Sequence, residues 1–160
     1  MPKFTHIDEN GRVRMVDVTG KDATLRTASA QATVSMKSET LQRIVNRRIK
    51  KGNVLETARI AGIMAAKKTA ELIPMCHPLN ITHVSVDFLP DKQHHSIQIE
   101  AAVRLVGQTG VEMEALAAVS IAALTIYDMC KSIDREMTIT DIRLVKKTGG
   151  KSGTYVTKKQ

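Results

Sequence analysis

The sequence predicts an α+β fold: a ferredoxin-like antiparallel sheet packed against helices, with one extra helix. Two observations carry this. Four stretches alternate apolar and polar residues with a period of two, and three stretches repeat apolar residues at helical spacing. Their order along the chain is strand, helix pair, strand, strand, helix, strand, which is the βαββαβ order plus one helix. The 160 residues show no internal repeat and no domain linker, so residues 1–160 are read as one domain.

Residues 1–26 are polar and mixed, with turn signals at Asn10-Gly11 and Thr19-Gly20, and read as an irregular arm. From Thr27, the residues Ala28, Ala30, Ala32, Val34 and Met36 alternate with polar neighbours as a half-buried strand. Ser38 is a candidate N-cap for a helix carrying Leu41, Ile44, Val45, Arg48 and Ile49. Gly52-Asn53 separates it from one long Ala-rich helix, Val54 to Ile73, closed by Pro74. The loop Met75-Cys76-His77-Pro78-Leu79 follows. Alternation over Thr82 to Phe88 and over Ile97 to Val106, around a turn at Leu89 to Gln93, predicts an antiparallel hairpin. Gly107-Gln108-Thr109-Gly110 breaks the second strand. A helix from Val111 to about Ser132 is apolar almost all round, so it is expected to pack on the sheet and partly on another subunit. Met137 to Leu144 forms a last strand, and residues 148–160 form a basic tail rich in Gly, Lys and Thr.

Composition narrows the function classes. The net charge of +8 suggests an anionic partner. With two Phe, two Tyr and no Trp, base-stacking platforms are hard to build, so phosphates in a pocket suit the chain better than nucleic acid. Neither an apolar leader segment at the N-terminus nor a run of ~18 apolar residues is present, which argues against a membrane span. Cys76 and Cys130 are read as reduced thiols of a cytoplasmic protein.

Several groups can carry chemistry. His77 can donate to a phosphate or shuttle a proton. Cys76 can serve as nucleophile or ligand, although no base is spaced to activate it. The cysteines and histidines lack the paired spacing of a zinc site, so no metal is expected. Lys67-Lys68 and Lys158-Lys159 read as solvated charge. Lys51, beside Gly52 at a helix end, can turn into a cleft, and Lys147 can close over an anion. Free amides after Gly107-Gln108-Thr109-Gly110 can bind phosphate, yet Glu112 and Glu114 already complement that helix start, and for Glu112 ordinary helix initiation suffices. Gly149-Gly150-Lys151-Ser152 ends like a P-loop, but Val145 replaces the first Gly and no helix pattern follows, so it is discarded. Asp128 and Lys131, at i and i+3, share a helix face at the end of an apolar run. A partly dry site there would tune both for proton transfer.

Long motifs in order point further. Residues 67–79, ending Pro74-Met75-Cys76-His77-Pro78-Leu79, together with Val106-Gly107-Gln108-Thr109-Gly110-Val111-Glu112-Met113-Glu114, Tyr127-Asp128-Met129-Cys130-Lys131 and Lys146-Lys147-Thr148-Gly149-Gly150-Lys151, resemble the molybdenum cofactor biosynthesis protein C family. Met15-Val16-Asp17-Val18 and Thr24-Leu25-Arg26-Thr27-Ala28 extend the resemblance over nearly the whole chain. It implies a lyase that converts cyclised dihydro-GTP to cyclic pyranopterin monophosphate with release of pyrophosphate. It also implies a homohexamer, a trimer of dimers, with active sites between subunits. Its pathway neighbours are a radical SAM GTP cyclase and molybdopterin synthase. On that reading Asp128 is the general acid/base, Lys131 its partner and Lys51 a third catalytic group. Arg26 and Lys147 join the lysines on the triphosphate, while Met75, Cys76, His77, Met113 and Glu114 position the substrate. No resident cofactor is implied; Mg²⁺ with the phosphates is left open. Two other classes fit the bare residues: an oligomeric nucleotide- or RNA-binding protein without catalysis, and a metal-dependent phosphate-ester hydrolase.

Overall fold

A computed structural model describes residues 5–158. Residues 1–4 of the expected arm, and Lys159 and Gln160 of the expected tail, lie outside the described residues. The elements are β1 (Thr24–Ser35), α1 (Ser38–Val45), α2 (Val54–Lys67), α3 (Thr69–Leu72), β2 (His83–Asp91), β3 (Ser96–Gly107), α4 (Glu112–Cys130), β4 (Thr138–Thr148) and β5 (Tyr155–Val156). All strand pairs are antiparallel and the sheet order is β2-β3-β1-β4-β5, so the α+β class is the one adopted. β1 and β2 therefore run parallel with β3 between them, and β3 and β4 run parallel with β1 between them. α2 and α4 make these two crossovers.

Alternation decides which side of the sheet is covered. Ala28, Ala30, Ala32 and Val34 of β1 and Ile97, Ile99, Ala101, Val103 and Leu105 of β3 are buried. Their neighbours Ser29, Gln31, Thr33, Gln98 and Arg104 are not. α4 lies on β1, β3 and β4, and α2 packs against both α4 and β2. Arg59 of α2 sits 5.3 Å from the centroid of the Phe88 ring and 3.1 Å from Asp87 Oδ1, tying α2 to the edge strand.

The apolar girth of α4 is satisfied in part within the chain. One side meets the sheet, as expected, and another meets α2. Leu124, 53% exposed, is the main apolar residue of α4 left outside this packing. By length and composition α4 could cross a membrane, but half of it is buried in this core. Its approach to α2 is close because of Gly62: a Cβ there would lie 2.9 Å from the Ala118 carbonyl oxygen and 3.4 Å from the Ala122 methyl.

Several boundaries differ from the sequence reading. β1 begins at Thr24, pairing with Gly107, so the end of the expected arm is strand. Ser38 is not the N-cap of α1. Lys37 holds that position, and the capping oxygen comes from Asp134, whose Oδ2 accepts from the Lys37 amide at 2.8 Å and the Thr40 hydroxyl at 3.0 Å. Burial pushes the Asp134 pKa up, but hydrogen bonds from Lys37, Thr40 and Glu136 outweigh it and leave the carboxyl below its ordinary range. α1 ends at Val45, so Arg48 and Ile49 fall in an irregular turn containing Arg47 at φ 54°.

The expected single helix from Val54 to Ile73 breaks at Lys68 (φ −106°, ψ 9°). There the Thr69 hydroxyl donates to the Ala65 and Ala66 carbonyls, taking over acceptors that the next helical turn would have used. β2 runs on through Pro90 to Asp91, where a turn at Leu89 to Gln93 was expected. Proline is tolerated because β2 is the sheet edge. The tail is not wholly irregular: Tyr155 and Val156 pair with Lys147 and Lys146.

Replacing Gly62 by Val tests the α2–α4 contact. The new side chain meets backbone that cannot yield, so the unfolding free energy should drop by about 1–3 kcal/mol. A urea midpoint equal to the wild-type value would show that the helices can separate without cost.

Candidate active site

The residues singled out in the sequence fall into two groups at opposite ends of α4. Its N-terminal end faces two adjoining cavities of about 620 and 360 Å³ that share Lys21, Thr109, Gly110 and Glu112. Its C-terminal end carries Asp128 and Lys131, with Lys51 brought alongside by the turn after α1. α4 has nineteen residues. At roughly 1.5 Å per residue, Glu114 and Lys131 lie about 25 Å apart along its axis. Within one chain the two groups do not meet.

The larger cavity is lined by Arg26, Lys147, Lys21 and Lys151 together with hydroxyls of Thr27, Thr148 and Ser152. Each side chain is held by sheet register. Thr27 pairs with Thr148 across β1 and β4, their hydroxyls 2.6 Å apart, which sets Arg26 and Lys147 at the same end of the sheet. Arg26 Nε donates to the Gly107 carbonyl and its Nη2 to the Gln108 carbonyl, both at 3.2 Å. Part of its fork therefore braces the loop that starts α4.

The turn after β4 closes over the same guanidinium. Gly149 (φ 96°) and Gly150 (φ 73°) occupy left-handed backbone, and a Cβ on Gly150 would collide with Arg26 Nη1. Lys147 is engaged as well, 2.9 Å from Glu112 Oε1 and donating to Ser152 Oγ at 3.0 Å. Sequence reasoning missed Lys21 and Lys151 as cavity cations and treated Glu112 as plain helix initiation. It also set aside Gly149-Gly150-Lys151-Ser152, which lines the cavity as a turn between strands. The usable signal was the run of Gly, Lys and hydroxyl residues, which needs no following helix to present cations and N–H groups.

The smaller cavity holds Met75, Cys76, His77, Met113 and Glu114, with Val16, Val18 and Lys21 of the arm as its outer wall. His77 Nε2 donates to the Val16 carbonyl at 2.7 Å, so the imidazole pins the arm across the opening. Glu114 is 3% exposed. Burial, reinforced by Glu112, raises its carboxyl to about 7 against the opposing pull of its own amide. Burial first, and then the Glu114 charge, raises the Cys76 thiol, so it is a poor thiolate. Glu114, read from sequence as a positioning residue, is thus a carboxyl whose proton affinity is raised to about neutrality.

At the other end of α4, Lys131 Nζ donates to Asp128 Oδ1 at 2.7 Å. Lys51 Nζ donates to the Asp128 carbonyl at 3.0 Å and lies 3.7 Å from Oδ2. Two ammonium groups at a helix C-terminus complement its negative pole. The Lys131 hydrogen bond and charge, then the Lys51 charge, lower the Asp128 pKa, and Asp128 raises that of Lys131. The expected dry, neutrality-tuned pair is not found within one chain. The Asp128 side chain is 61% exposed, and both shifts reinforce the ionised forms.

The MoaC family model matches residues 15–150. Three proteins named cyclic pyranopterin monophosphate synthase are similar over almost the full length. The one from Desulforapulum autotrophicum is 67% identical over 98% of this chain and 96% of its own. Those from Desulfatibacillum aliphaticivorans and a Roseiflexus species are each 64% identical over 98% of this chain, and over 98% and 99% of their own.

The Glu114 carboxyl gives a signed expectation. A folded pKa raised above the unfolded one supplies stability at low pH that is lost as pH rises towards 7. Glu114→Gln should therefore raise Tm relative to wild type more at pH 8 than at pH 5. Equal differences at both pH values would mean that Glu114 titrates normally. Cys76→Ser should retain most of the turnover; its loss, together with inactivation of the wild type by one equivalent of alkylating agent, would mark a covalent role.

Proposed function

The chain belongs to the MoaC family, and we infer on that premise that it makes cyclic pyranopterin monophosphate in molybdenum cofactor biosynthesis. The observation that carries this reading is full-length similarity to synthases, in a chain whose two polar clusters are built around one helix. The same similarity sets aside the non-catalytic nucleotide- or RNA-binding alternative.

The finer reading concerns substrate, roles and assembly. The substrate is cyclised dihydro-GTP. Its phosphates extend from the cations of the larger cavity, where Lys21, Lys151 and the free side of Arg26 complement a polyanion, to Lys51 and Lys131 of the facing subunit. The ring system occupies the smaller cavity beside His77, Met113 and Glu114. Ring rearrangement moves protons between carbon and nitrogen, and the ionised Asp128–Lys131 pair supplies a base and an acid in contact. In the cyclisation a sugar hydroxyl oxygen bonds to the α-phosphorus. The bond from that phosphorus to the bridging oxygen breaks, and its electron pair leaves on pyrophosphate. The hydroxyl proton passes to the base. Lys51 and Lys131 offset the developing charge. Any Mg²⁺ would accompany the substrate phosphates.

These roles require both ends of α4 at one substrate. The separation of about 25 Å along the helix is met when the N-terminal end of one subunit faces the C-terminal end of another. The assembly that does this is a hexamer, a trimer of dimers. A radical SAM GTP cyclase supplies the substrate and molybdopterin synthase acts downstream. Two free cysteines at opposite ends of α4 suit the cytoplasm.

Mixing experiments test the shared site. His77→Ala and Asp128→Asn variants should each lose about 10²–10⁴-fold in turnover. Co-expressed in equal amounts, they should recover about a quarter of wild-type activity, because that share of sites receives both intact halves. Mixed hexamers that stay inactive would place the whole site in one subunit. The product and pyrophosphate are identified by mass spectrometry.

A further inference from the structure

Beyond the Asp128–Lys131 pair, the C-terminal end of α4 opens into a groove whose further cations, Arg48, Lys50 and Arg135, have no part in the proposed chemistry. A cavity of about 360 Å³ bordered by Lys131 and Arg135 joins one of about 300 Å³ bordered by Arg48 and Lys50, with Lys51 and Ser132 common to both. Among the described residues, Arg48, Lys50 and Arg135 enter no ion pair, whereas Arg43 is held by Glu39 at 2.6 Å. Asp128, the carboxylate at this end of the helix, is already shared by Lys131 and Lys51.

Backbone geometry concentrates this charge. Arg47 takes φ 54° and the Arg48 amide donates to the Arg43 carbonyl at 2.8 Å, so the chain turns sharply after α1, and Arg48, Lys50 and Lys51 line one cavity. Uncompensated cations lining a concave surface repel one another and focus a positive field, which a compact polyanion relieves. Tyr127 is the groove's aromatic side chain, and its hydroxyl donates to the Arg135 carbonyl at 3.2 Å. A single tethered ring is a poor platform for stacked bases.

We propose that this groove is the release subsite for pyrophosphate, gripped by Arg48 and Arg135. The assignment rests on the cyclisation described above. The leaving group departs beside Lys51 and Lys131, and the unpaired cations continue from those two lysines towards Arg48 on one side and Arg135 on the other. Guanidinium groups suit the two linked phosphates because each can present a pair of parallel N–H donors.

Isothermal titration calorimetry of the full chain with inorganic pyrophosphate tests this directly and needs no turnover. The dissociation constant should rise about tenfold or more in Arg48→Ala and in Arg135→Ala, as expected for loss of a charge-assisted bidentate contact. Arg48→Lys should fall between, and Lys67→Ala, on the exposed face of α2, should match wild type. Pyrophosphate affinity unchanged in both arginine variants, or weakened equally by Lys67→Ala, would overturn the proposal. So would loss of single-stranded RNA binding in the arginine variants with pyrophosphate binding intact. Product formation from cyclised dihydro-GTP is assayed alongside. Its absence in the wild type counts against the function, whereas product with unchanged pyrophosphate affinity counts against the groove alone.

Discussion

The close contact of α2 with α4 is the constraint on which the rest of this molecule depends. Nothing larger than glycine fits at residue 62 without displacing the Ala118 carbonyl, so the two helices lie tight against each other. That contact, with the small side chains of β1 beneath, allows a helix of Ala, Val and Ile to be buried on two sides in a domain with so few aromatic residues. Small side chains bring backbones together and recover by close packing what they lack in area. α4 becomes a rod held between the sheet and α2, and both polar clusters are referred to it.

The ends of that rod differ in a way that suits their contents. At the N-terminal end, the positive pole adjoins a cavity lined by cations and hydroxyls, an environment for phosphate. Glu112 lies between the two cavities and engages Lys147, so anion binding there has to compete with an existing ion pair. At the C-terminal end two lysines offset the negative pole and hold Asp128 ionised. Glu114 and Asp128 are both carboxylates on one helix, yet burial lifts one to about 7 while two ammonium groups depress the other. Environment, not residue type, separates a carboxyl that titrates near neutrality from one that is held ionised.

These clusters stand at opposite ends of one helix, so on the proposed function the site is divided within a single chain. The proposed association would resolve that division without any change of fold. It would also bring Asp128 and Lys131, exposed in the single chain, into a drier setting where their coupling strengthens.

Most of the fold was legible in the residues because period-two and helical patterns report burial directly. Ala28 to Val34, Ile97 to Leu105 and the helix after Val111 are each found where alternation or apolar spacing put them. The clusters around His77 and Asp128 were legible too, since reactive side chains crowd into short motifs. Less visible were features that depend on a partner distant in sequence. Asp134 caps α1 from ninety-four to ninety-seven residues away, Arg26 braces Gly107 and Gln108, and Lys147 meets Glu112. The cover that α2 gives α4 was not visible either, because the two helices are far apart in sequence. Local pattern encodes which residues avoid water and which carry charge. Which distant group answers each of them is set by strand register and helix packing, and these exist only once the chain has closed on itself.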